Sequence, residues 1–454
     1  MRLQDLFPSL QVRVVVSLVI VLLGGIANVS AQIAPTFFGM QMGKGSVTGQ
    51  PWPVDKICNN PFQGCDGFGG MRLWDSGTAW ALINYAPGQY DWSILDAWIN
   101  NAKKHQIDVV YCFGRVPLWA SSQPGDKKCA NGGGPGQCDP PNDLNADGTG
   151  TNQHFKDFVT AIVTHAAGRI HYWETWDEAP NPMRWQGTLK QMLRMASDLR
   201  TIALSIDPNA VILSPSGGIR YANDTKWFQQ YYSGGGGNYA DVITYHGYVD
   251  KFGQHPDPES LITYLNQKGG LLSTLQTTGQ NGKPLWDTEA SWGVATCCGF
   301  TDLDLEAGFV ARFYVVHQLL NTSRFYWYEW NGFAGTLWKQ DPVNFTGPGS
   351  LLIPGHAYQQ IYNWLVGNTL DTSCKPTGTV WACNVTGANG YQGQIVWDTS
   401  KTCHDHVCTT SQYTFNSIYI QYVDLAGNVT STSGLQTVPI GYKPILLQNM
   451  TPKR

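Results

Sequence analysis

The chain has 454 residues, which is room for one large domain of about 250 to 350 residues and a smaller one. Only 14% of the residues are charged, whereas 18 Trp, 21 Tyr and 50 Gly are high numbers that suit an extracellular protein with aromatic binding surfaces. The net charge of −4 is interspersed and includes no basic block, which argues against a nucleic-acid partner. A core of this size needs no oligomer for stability, and the oligomeric state stays open.

The N-terminus predicts a signal peptide over residues 1–31. Arg2 and Arg13 precede the apolar run of residues 14–26, and Val29-Ser30-Ala31 then supplies the small residues of a cleavage site. An apolar run this short falls below the roughly 20 residues that span a bilayer, so an uncleaved anchor is the weaker alternative. We therefore expect a secreted, periplasmic or extracellular protein without stable membrane insertion after cleavage.

Eleven cysteines fit an oxidising compartment. Cys112 lies in an apolar run and is predicted to be a buried free thiol, whereas the adjacent Cys297 and Cys298 either pair with each other or stay reduced. The spacing of the others lacks the zinc-ligand pattern, so we predict no metal site. Four local disulfides that staple loops are predicted instead: Cys58 with Cys65, Cys129 with Cys138, Cys374 with Cys383, and Cys403 with Cys408.

Short apolar runs alternate with helical patterns through residues 32–368, which is typical of repeated βα units around a parallel sheet. Eight such units predict a (β/α)₈ barrel. A doubly wound sheet is the alternative, but no Gly-rich phosphate fingerprint follows the first strand, and we predict no cofactor. The predicted strands are 35–43, 70–76, 108–114, 170–176, 210–214, 241–246, 284–288 and 324–330, and the clearest predicted helices are 92–105, 151–167, 188–205 and 303–320.

Alternating β-like segments separated by turn residues follow, so residues 369–454 are predicted to form a small antiparallel β-sandwich. A structural side domain is favoured over an independent sugar-binding module, because no Pro- or Ser-rich linker precedes it.

In a barrel of this kind the chemistry lies at the carboxyl ends of the strands. Two of these ends carry carboxylates flanked by Trp: Glu178 follows the fourth strand and Glu289 ends the seventh. A pair of carboxyl groups, one protonated and one ionised, is what glycosidic-bond cleavage requires. The pattern therefore indicates a two-carboxylate enzyme acting on carbohydrate.

These residues carry a resemblance to a known family. Residues 176–180, WDEAP, resemble the acid/base motif of clan A glycoside hydrolases, and residues 286–289, WDTE, resemble the nucleophile motif. Together with residues 244–248, TYHGY, the pattern is most similar to glycoside hydrolase family 39 and its relatives over roughly residues 35–450.

The resemblance implies that Glu178 is the acid/base and Glu289 the nucleophile. It also implies that three residues hydrogen-bond and orient the nucleophile: Arg72, His246 and Tyr248. Five tryptophans are candidates for stacking on sugar faces: Trp119, Trp176, Trp292, Trp327 and Trp330.

Asp177 departs from the clan, which usually has Asn before the acid/base to donate to the sugar 2-hydroxyl. An ionised Asp only accepts hydrogen bonds, and its charge is expected to raise the pKa of Glu178 if the two side chains are close. Alternation along the strand places Glu174 deeper in the barrel, where we expect it to pair with an internal Arg or His.

The leading prediction is a secreted retaining glycoside hydrolase that cleaves a poly- or oligosaccharide by a two-glutamate double displacement. A non-catalytic carbohydrate-binding barrel and a transglycosylase remain alternatives. The sequence leaves the sugar, the linkage, and the choice between endo and exo action open.

Overall fold

The computed structural model describes residues 32–43, 67–251, 256–293, 302–332, 335–339 and 349–450. The predicted signal peptide, Cys58, Cys65, Cys297 and Cys298 lie outside the described residues. Within those ranges, no helix is both long enough and apolar enough to cross a membrane.

Eight short strands form one parallel sheet, and each coincides with a predicted strand. The order is β5-β4-β3-β2-β1-β8-β7-β6, and a parallel bridge between Leu213 and Val242 joins the two remaining strands, which nearly closes the barrel. The predicted (β/α)₈ fold is therefore confirmed. The strands are β1 (Phe38–Gln41), β2 (Gly70–Leu73), β3 (Asp108–Cys112), β4 (Tyr172–Glu174), β5 (Val211–Leu213), β6 (Ile243–Tyr245), β7 (Leu285–Ala290) and β8 (Thr322–Trp327).

The helices begin and end where the sequence supplies caps and amphipathic faces. Thr188 and Gln191 form a capping box at the start of α4, and Asp302 accepts hydrogen bonds from two backbone N–H groups at the start of α8. The helices are α1 (Trp80–Ile83), α2 (Ser93–His105), α3 (Gln153–Ala166), α4 (Leu189–Ile206), α5 (Ala222–Ser233), α6 (Ser260–Asn266), α7 (Leu271–Thr277), α8 (Leu303–Leu319) and α9 (Ile353–Leu365).

Antiparallel strands follow α9, as expected for the β-sandwich side domain. The main sheet has six strands in the order β11-β12-β13-β20-β17-β18, and two small ribbons pair β14 with β15 and β16 with β19. The strands after the barrel are β9 (Trp338–Lys339), β10 (Ser350–Leu351), β11 (Thr369–Leu370), β12 (Val380–Thr386), β13 (Gln392–Asp398), β14 (Cys403–His404), β15 (Val407–Cys408), β16 (Thr410–Thr414), β17 (Gln421–Val423), β18 (Val429–Ser431), β19 (Thr437–Gly441) and β20 (Ile445–Gln448). The boundary at residue 369 stays a prediction.

The β-domain packs on the barrel helix α8 through a buried charge. Glu259 accepts hydrogen bonds from Arg312 Nε of α8 at 2.9 Å and from Trp397 Nε1 of β13 at 2.8 Å. The guanidinium of Arg312 also lies 4.4 Å from the ring centre of Tyr442. One carboxylate thus links the two parts, which favours a structural role for the β-domain.

Three of the predicted disulfides are present: Cys129–Cys138, Cys374–Cys383 and Cys403–Cys408. Cys112 is a buried free thiol, as predicted.

Candidate active site

The segment after β4 carries the acidic motif to the mouth of the barrel. Its backbone stays bonded to both neighbouring strands, because Asp177 N donates to Phe113 O at 3.1 Å and Ala179 N donates to Ser216 O at 3.0 Å. Between these anchors Glu178 has φ of +41°, a left-handed conformation that is rare for a residue with a side chain. Such a conformation costs about 1–3 kcal/mol and clusters at functional sites.

Arg72, at the end of β2, is the centre of the site. Its guanidinium is fully buried and reaches three carboxylates: Glu174 at 2.6 Å, Asp177 at 2.8 Å and Glu289 at 2.9 Å. The expectation that Glu174 pairs with an internal Arg is therefore met. Since an arginine offers five N–H donors in a rigid plane, one side chain fixes acids from β4 and β7 relative to each other.

Both carboxylate oxygens of Glu289 are held by donors. Oε2 accepts from Arg72 and, at 3.2 Å, from Gln41 Nε2 of β1, and Oε1 accepts from Tyr248 Oη at 3.1 Å. The side chain is 12% exposed. Arg72 and Tyr248 thus contact Glu289 as the resemblance implies, and Gln41 is a partner that the sequence reasoning missed.

His246 differs from that expectation, since its ring contacts Glu178 and not Glu289. Nδ1 lies 3.4 Å from Glu178 Oε1. The His246 backbone N–H bonds to Gly217 O, which follows β5, and the ring lies beside the acidic segment that follows β4. His246 is fully buried, and its Nε2 has no hydrogen-bond partner among the described residues.

Glu178 has the opposite pKa shift from the one expected. Burial raises its pKa, but the hydrogen bond and charge of His246, with Arg184 and Asn181, outweigh burial and hold the pKa below its ordinary value. Asp177 takes the upward shift instead: burial, opposed by Arg72 and reinforced by Glu289, raises its pKa to about 7. Asp177 thus places a protonatable group beside Glu178.

The charge balance of the site agrees with a protonated Asp177. Burial lowers the pKa of His246, but the charge of Glu289 and the Glu178 hydrogen bond outweigh burial and raise the pKa to about 9. The cationic groups are then Arg72, Arg184 and His246, against four carboxyl groups: Glu174, Asp177, Glu178 and Glu289. One proton on the fourth carboxyl balances the charges, and the pKa of Asp177 makes that residue its holder.

Arg184 is a second residue that the sequence reasoning missed. Its Nε lies 3.6 Å from Asp177 Oδ2 and 3.6 Å from Glu178 Oε2. It comes from the loop between β4 and α4, where no periodicity marks it. Gln41, by contrast, ends β1, and the rule that selected the other strand ends would have found it.

Glycine in the TYHGY segment has a steric reason. The carboxylate of Asp287 lies where a Cβ on Gly247 would be, and Gly247 N donates to Asp287 Oδ1 at 3.1 Å. Asp287 also contacts His317 Nε2 at 2.7 Å and accepts from Glu289 N at 3.2 Å. This buried acid therefore fixes β7 against the turn that carries His246 and Tyr248.

Glu178 lines a pocket of about 330 Å³ at the barrel mouth. The opposite wall carries Arg220, Tyr221 and Asp224, from the segment after β5 and the start of α5. Burial and the charge of Glu178 raise the pKa of Asp224 to about 6. Glu178 is 22% exposed and so faces space that a ligand can fill.

Four of the five candidate tryptophans do not meet the expectation of sugar stacking. Trp176, Trp292, Trp327 and Trp330 are each at most 2% exposed, so none offers an open ring face. Their neighbours are protein groups: Trp176 packs on Trp185, and Trp330 stacks on Trp338. Trp119 is partly exposed, but it lines a different groove on the barrel side.

Oxygen and nitrogen atoms of Asp177, His246 and Glu289 lie within 4.8 Å of one another, a spacing at which such groups hold metal ions. Arg72 already bonds to both carboxylates, so its charge occupies the position that a cation would take. The similar cluster at Asp139 includes Cys129 and Cys138, whose disulfide leaves no thiolate. Neither group favours a metal.

Several solved structures with a similar fold are glycoside hydrolases. The chain resembles a family 39 glycoside hydrolase from Bacteroides cellulosilyticus WH2, with 15% identity, coverage of 91% of this chain and 81% of that one, and a TM-score of 0.62. It also resembles a monomeric β-xylosidase from Caulobacter crescentus CB15, with 12% identity, 92% and 97% coverage, and a TM-score of 0.60. A GH30 endoxylanase from Clostridium papyrosolvens C71 gives 14% identity, 93% and 98% coverage, and a TM-score of 0.58.

No model of a known protein family matches the sequence, and no curated protein matches it. At these identities the likeness shows the fold. The chain therefore has the barrel and β-sandwich architecture that these glycoside hydrolases share, and the resemblance inferred from the sequence motifs is confirmed at that level.

Proposed function

We propose that this protein is a retaining glycoside hydrolase that cleaves a poly- or oligosaccharide by double displacement. The observation that carries the proposal is the placement of Glu289 beside Arg72 and of Glu178 beside His246, after different strands, with Glu178 lining a pocket. A nucleophile and a proton donor at one barrel mouth are what the reaction requires.

In the first step Glu289 attacks the anomeric carbon. As the ester bond forms, the bond from that carbon to the leaving oxygen breaks, and Glu178 gives its proton to this oxygen. Arg72, Gln41 and Tyr248 fix both oxygens of Glu289, which limits the reorganisation needed for attack.

In the second step water attacks the anomeric carbon and loses a proton to Glu178, and the ester to Glu289 breaks. Two inversions restore the starting configuration, which is why the first product keeps the anomeric form of the substrate.

Glu178 needs a proton in the first step although its pKa is low in the free protein. His246 carries a proton 3.4 Å away from Glu178 Oε1, and Asp177, with a pKa of about 7, holds another below that pH. A sugar bound in the pocket displaces water from these groups, which favours the neutral acid over the ionised one. We propose that protonated Asp177 also donates to the sugar 2-hydroxyl, as the usual Asn amide does.

β-Linked xylosides are the substrates to test first, because two of the similar structures are titled as a β-xylosidase and an endoxylanase. A panel of aryl glycosides and neutral polysaccharides should include them. The wild-type chain is expected to hydrolyse at least one member, and Glu289→Gln is expected to lose turnover on the order of 10⁵-fold, the scale on which loss of a nucleophile acts. Equal turnover by both proteins on every hydrolysed substrate would remove Glu289 from the mechanism.

We propose that the protein acts outside the cell after cleavage behind Ala31. The three disulfides support an oxidising location. Mass spectrometry of the protein purified from its native source is expected to find Gln32 as the first residue, whereas an intact Met1 would exclude cleavage.

A further inference from the structure

Trp119 lines a groove on the outer side of the barrel. The groove has a volume of about 690 Å³ and lies between helix α3 and the segment before α2. We call it the aromatic groove and define it by six of its lining residues: Tyr90, Trp92, Trp119, Asp157, Thr160 and Thr164. Its volume falls in the range of about 300–1,000 Å³ typical of ligand sites.

The aromatic rings of the groove are fixed in place. Tyr90 stacks on Trp92 with 5.1 Å between ring centres, and Trp92 stacks on His165 at 4.3 Å. Trp119 Nε1 donates to Asn84 O at 3.0 Å. All three groove aromatics remain partly exposed, so their rings are positioned before any ligand arrives.

One face of α3 supplies the polar side of the groove. Asp157, Thr160 and Thr164 recur at helical spacing on the face opposite the buried Phe158 and Ile162. Burial and the charge of Asp157 raise the pKa of Tyr90, which keeps its phenol protonated beside that carboxylate. Carboxylate and hydroxyl groups next to flat apolar rings match a sugar, which has hydroxyls around its edge and C–H groups on its faces.

Three exposed apolar residues lie close in the chain to residues that line the groove. Leu82, Tyr85 and Leu118 are 50%, 59% and 50% exposed, and they lie within two residues of Asn84 or Trp119 in the chain. None of the described residues lining the groove is Lys or Arg, and Asp157 is acidic, so a neutral ligand fits better than an anionic one.

We infer that the aromatic groove is a second carbohydrate-binding site that holds a neutral glycan segment. None of its described lining residues hydrogen-bonds or ion-pairs with Glu178 or Glu289, so it is separate from the candidate active site. The inference rests on the proposed function only for the class of ligand. A groove of this kind would hold a polysaccharide chain while the barrel mouth acts on it.

Calorimetric titration of the full chain carrying Glu289→Gln with neutral oligosaccharides, xylohexaose first, tests this site. Two binding sites per chain are expected. Adding Thr164→Arg, which fills the groove from an exposed position, is expected to reduce the number to one, and adding Tyr90→Ala to weaken the affected site at least about tenfold. Adding Leu435→Ala, at a 48% exposed position on the β-domain, is the matched control and should leave two sites.

The outcomes separate the two proposals. If the active-site proposal fails but the groove binds glycan, Glu289→Gln has one binding site per chain, and adding Thr164→Arg leaves none. Unchanged binding in both groove variants, each with the melting temperature of its parent, would overturn the inference. Binding of no neutral glycan in the panel would overturn it as well, and would point to a protein partner for this surface.

Discussion

Two arginines at opposite ends of the barrel show how one residue type serves different purposes. Arg72, at the carboxyl end, is fully buried and contacts three carboxylates from β4, β7 and the turn after β4. Arg324, near the amino end of β8, pairs with Asp108 at 2.7 Å, and its guanidinium lies 4.6 Å from the ring centre of Tyr172 and 4.4 Å from that of Trp286.

The two ends of the barrel differ in how fully their charged groups are paired. Asp108 is 39% exposed and pairs with one arginine, and Arg324 covers aromatic rings, so this end stabilises the barrel. At the other end carboxyl groups outnumber cations, one residue adopts a left-handed backbone, and pKa values move in both directions. Such unfavourable features persist where they serve chemistry.

The largest effect that tests this comparison is expected for Glu178→Gln. Turnover of glycosides with poor leaving groups should fall about 10²–10⁴-fold, because no group donates the proton. Activated aryl glycosides, whose leaving groups need no proton, should lose much less in the first step. Asp108→Asn at the opposite end is the matched control and should change turnover less than about twofold. Near wild-type turnover of Glu178→Gln on both substrate types would exclude its role as the acid.

The paired variants Arg72→Met and Arg324→Met test the two arginines directly. Arg72→Met removes the guanidinium that bonds to Glu174, Asp177 and Glu289, so the free energy of unfolding should fall by about 3–5 kcal/mol and turnover should be lost. Arg324→Met loses cation–π contacts and an ion pair half open to water, at about 1–2 kcal/mol, and should keep its turnover. Urea unfolding and activity assays measure both. Equal losses of unfolding free energy and of turnover in the two variants would show that the two ends of the barrel do not differ in this way.

A smaller, pH-dependent effect is expected for Asp177→Asn. The folded-state pKa of about 7 lies above the ordinary 3.8, so the stability contributed by neutral Asp177 is complete below pH 4 and is lost as the pH rises through 7. Asn does not titrate. The melting temperature of Asp177→Asn relative to wild type should therefore rise by roughly 2–4 °C from pH 4 to pH 8.

The activity of Asp177→Asn should follow the same pH range. If protonated Asp177 donates to the sugar, wild-type turnover falls above pH 7, whereas the variant keeps its turnover there. Asp108→Asn should change neither profile. A constant difference in melting temperature and an unchanged activity profile would remove the proposed role of Asp177.

The sequence predicted the barrel well because parallel strands are buried on both faces and are therefore nearly continuous apolar runs. Once β4 and β7 were assigned, the convergence of Asp177, Glu178 and Glu289 followed from the topology alone. Glu174 was placed correctly for the same reason, since its depth depends only on alternation along the strand.

The expectations that failed concern side chains whose positions are not determined by the strands. The ring of His246 lies against Glu178 from the turn after β6, and Arg184 comes from a loop without periodicity. The pKa of Glu178 shifts down and not up, because His246, Arg184 and Asn181 outweigh burial. Tryptophan counts indicate aromatic surface but not burial, and four of the five candidates lie in the core.

The anomeric configuration of the first product tests the central claim most directly. Proton NMR of the wild-type reaction, recorded within the first minutes on the most rapidly hydrolysed substrate, separates retention from inversion before the free sugar equilibrates. The double displacement through Glu289 predicts that the first product has the configuration of the substrate. A first product of inverted configuration would contradict the mechanism.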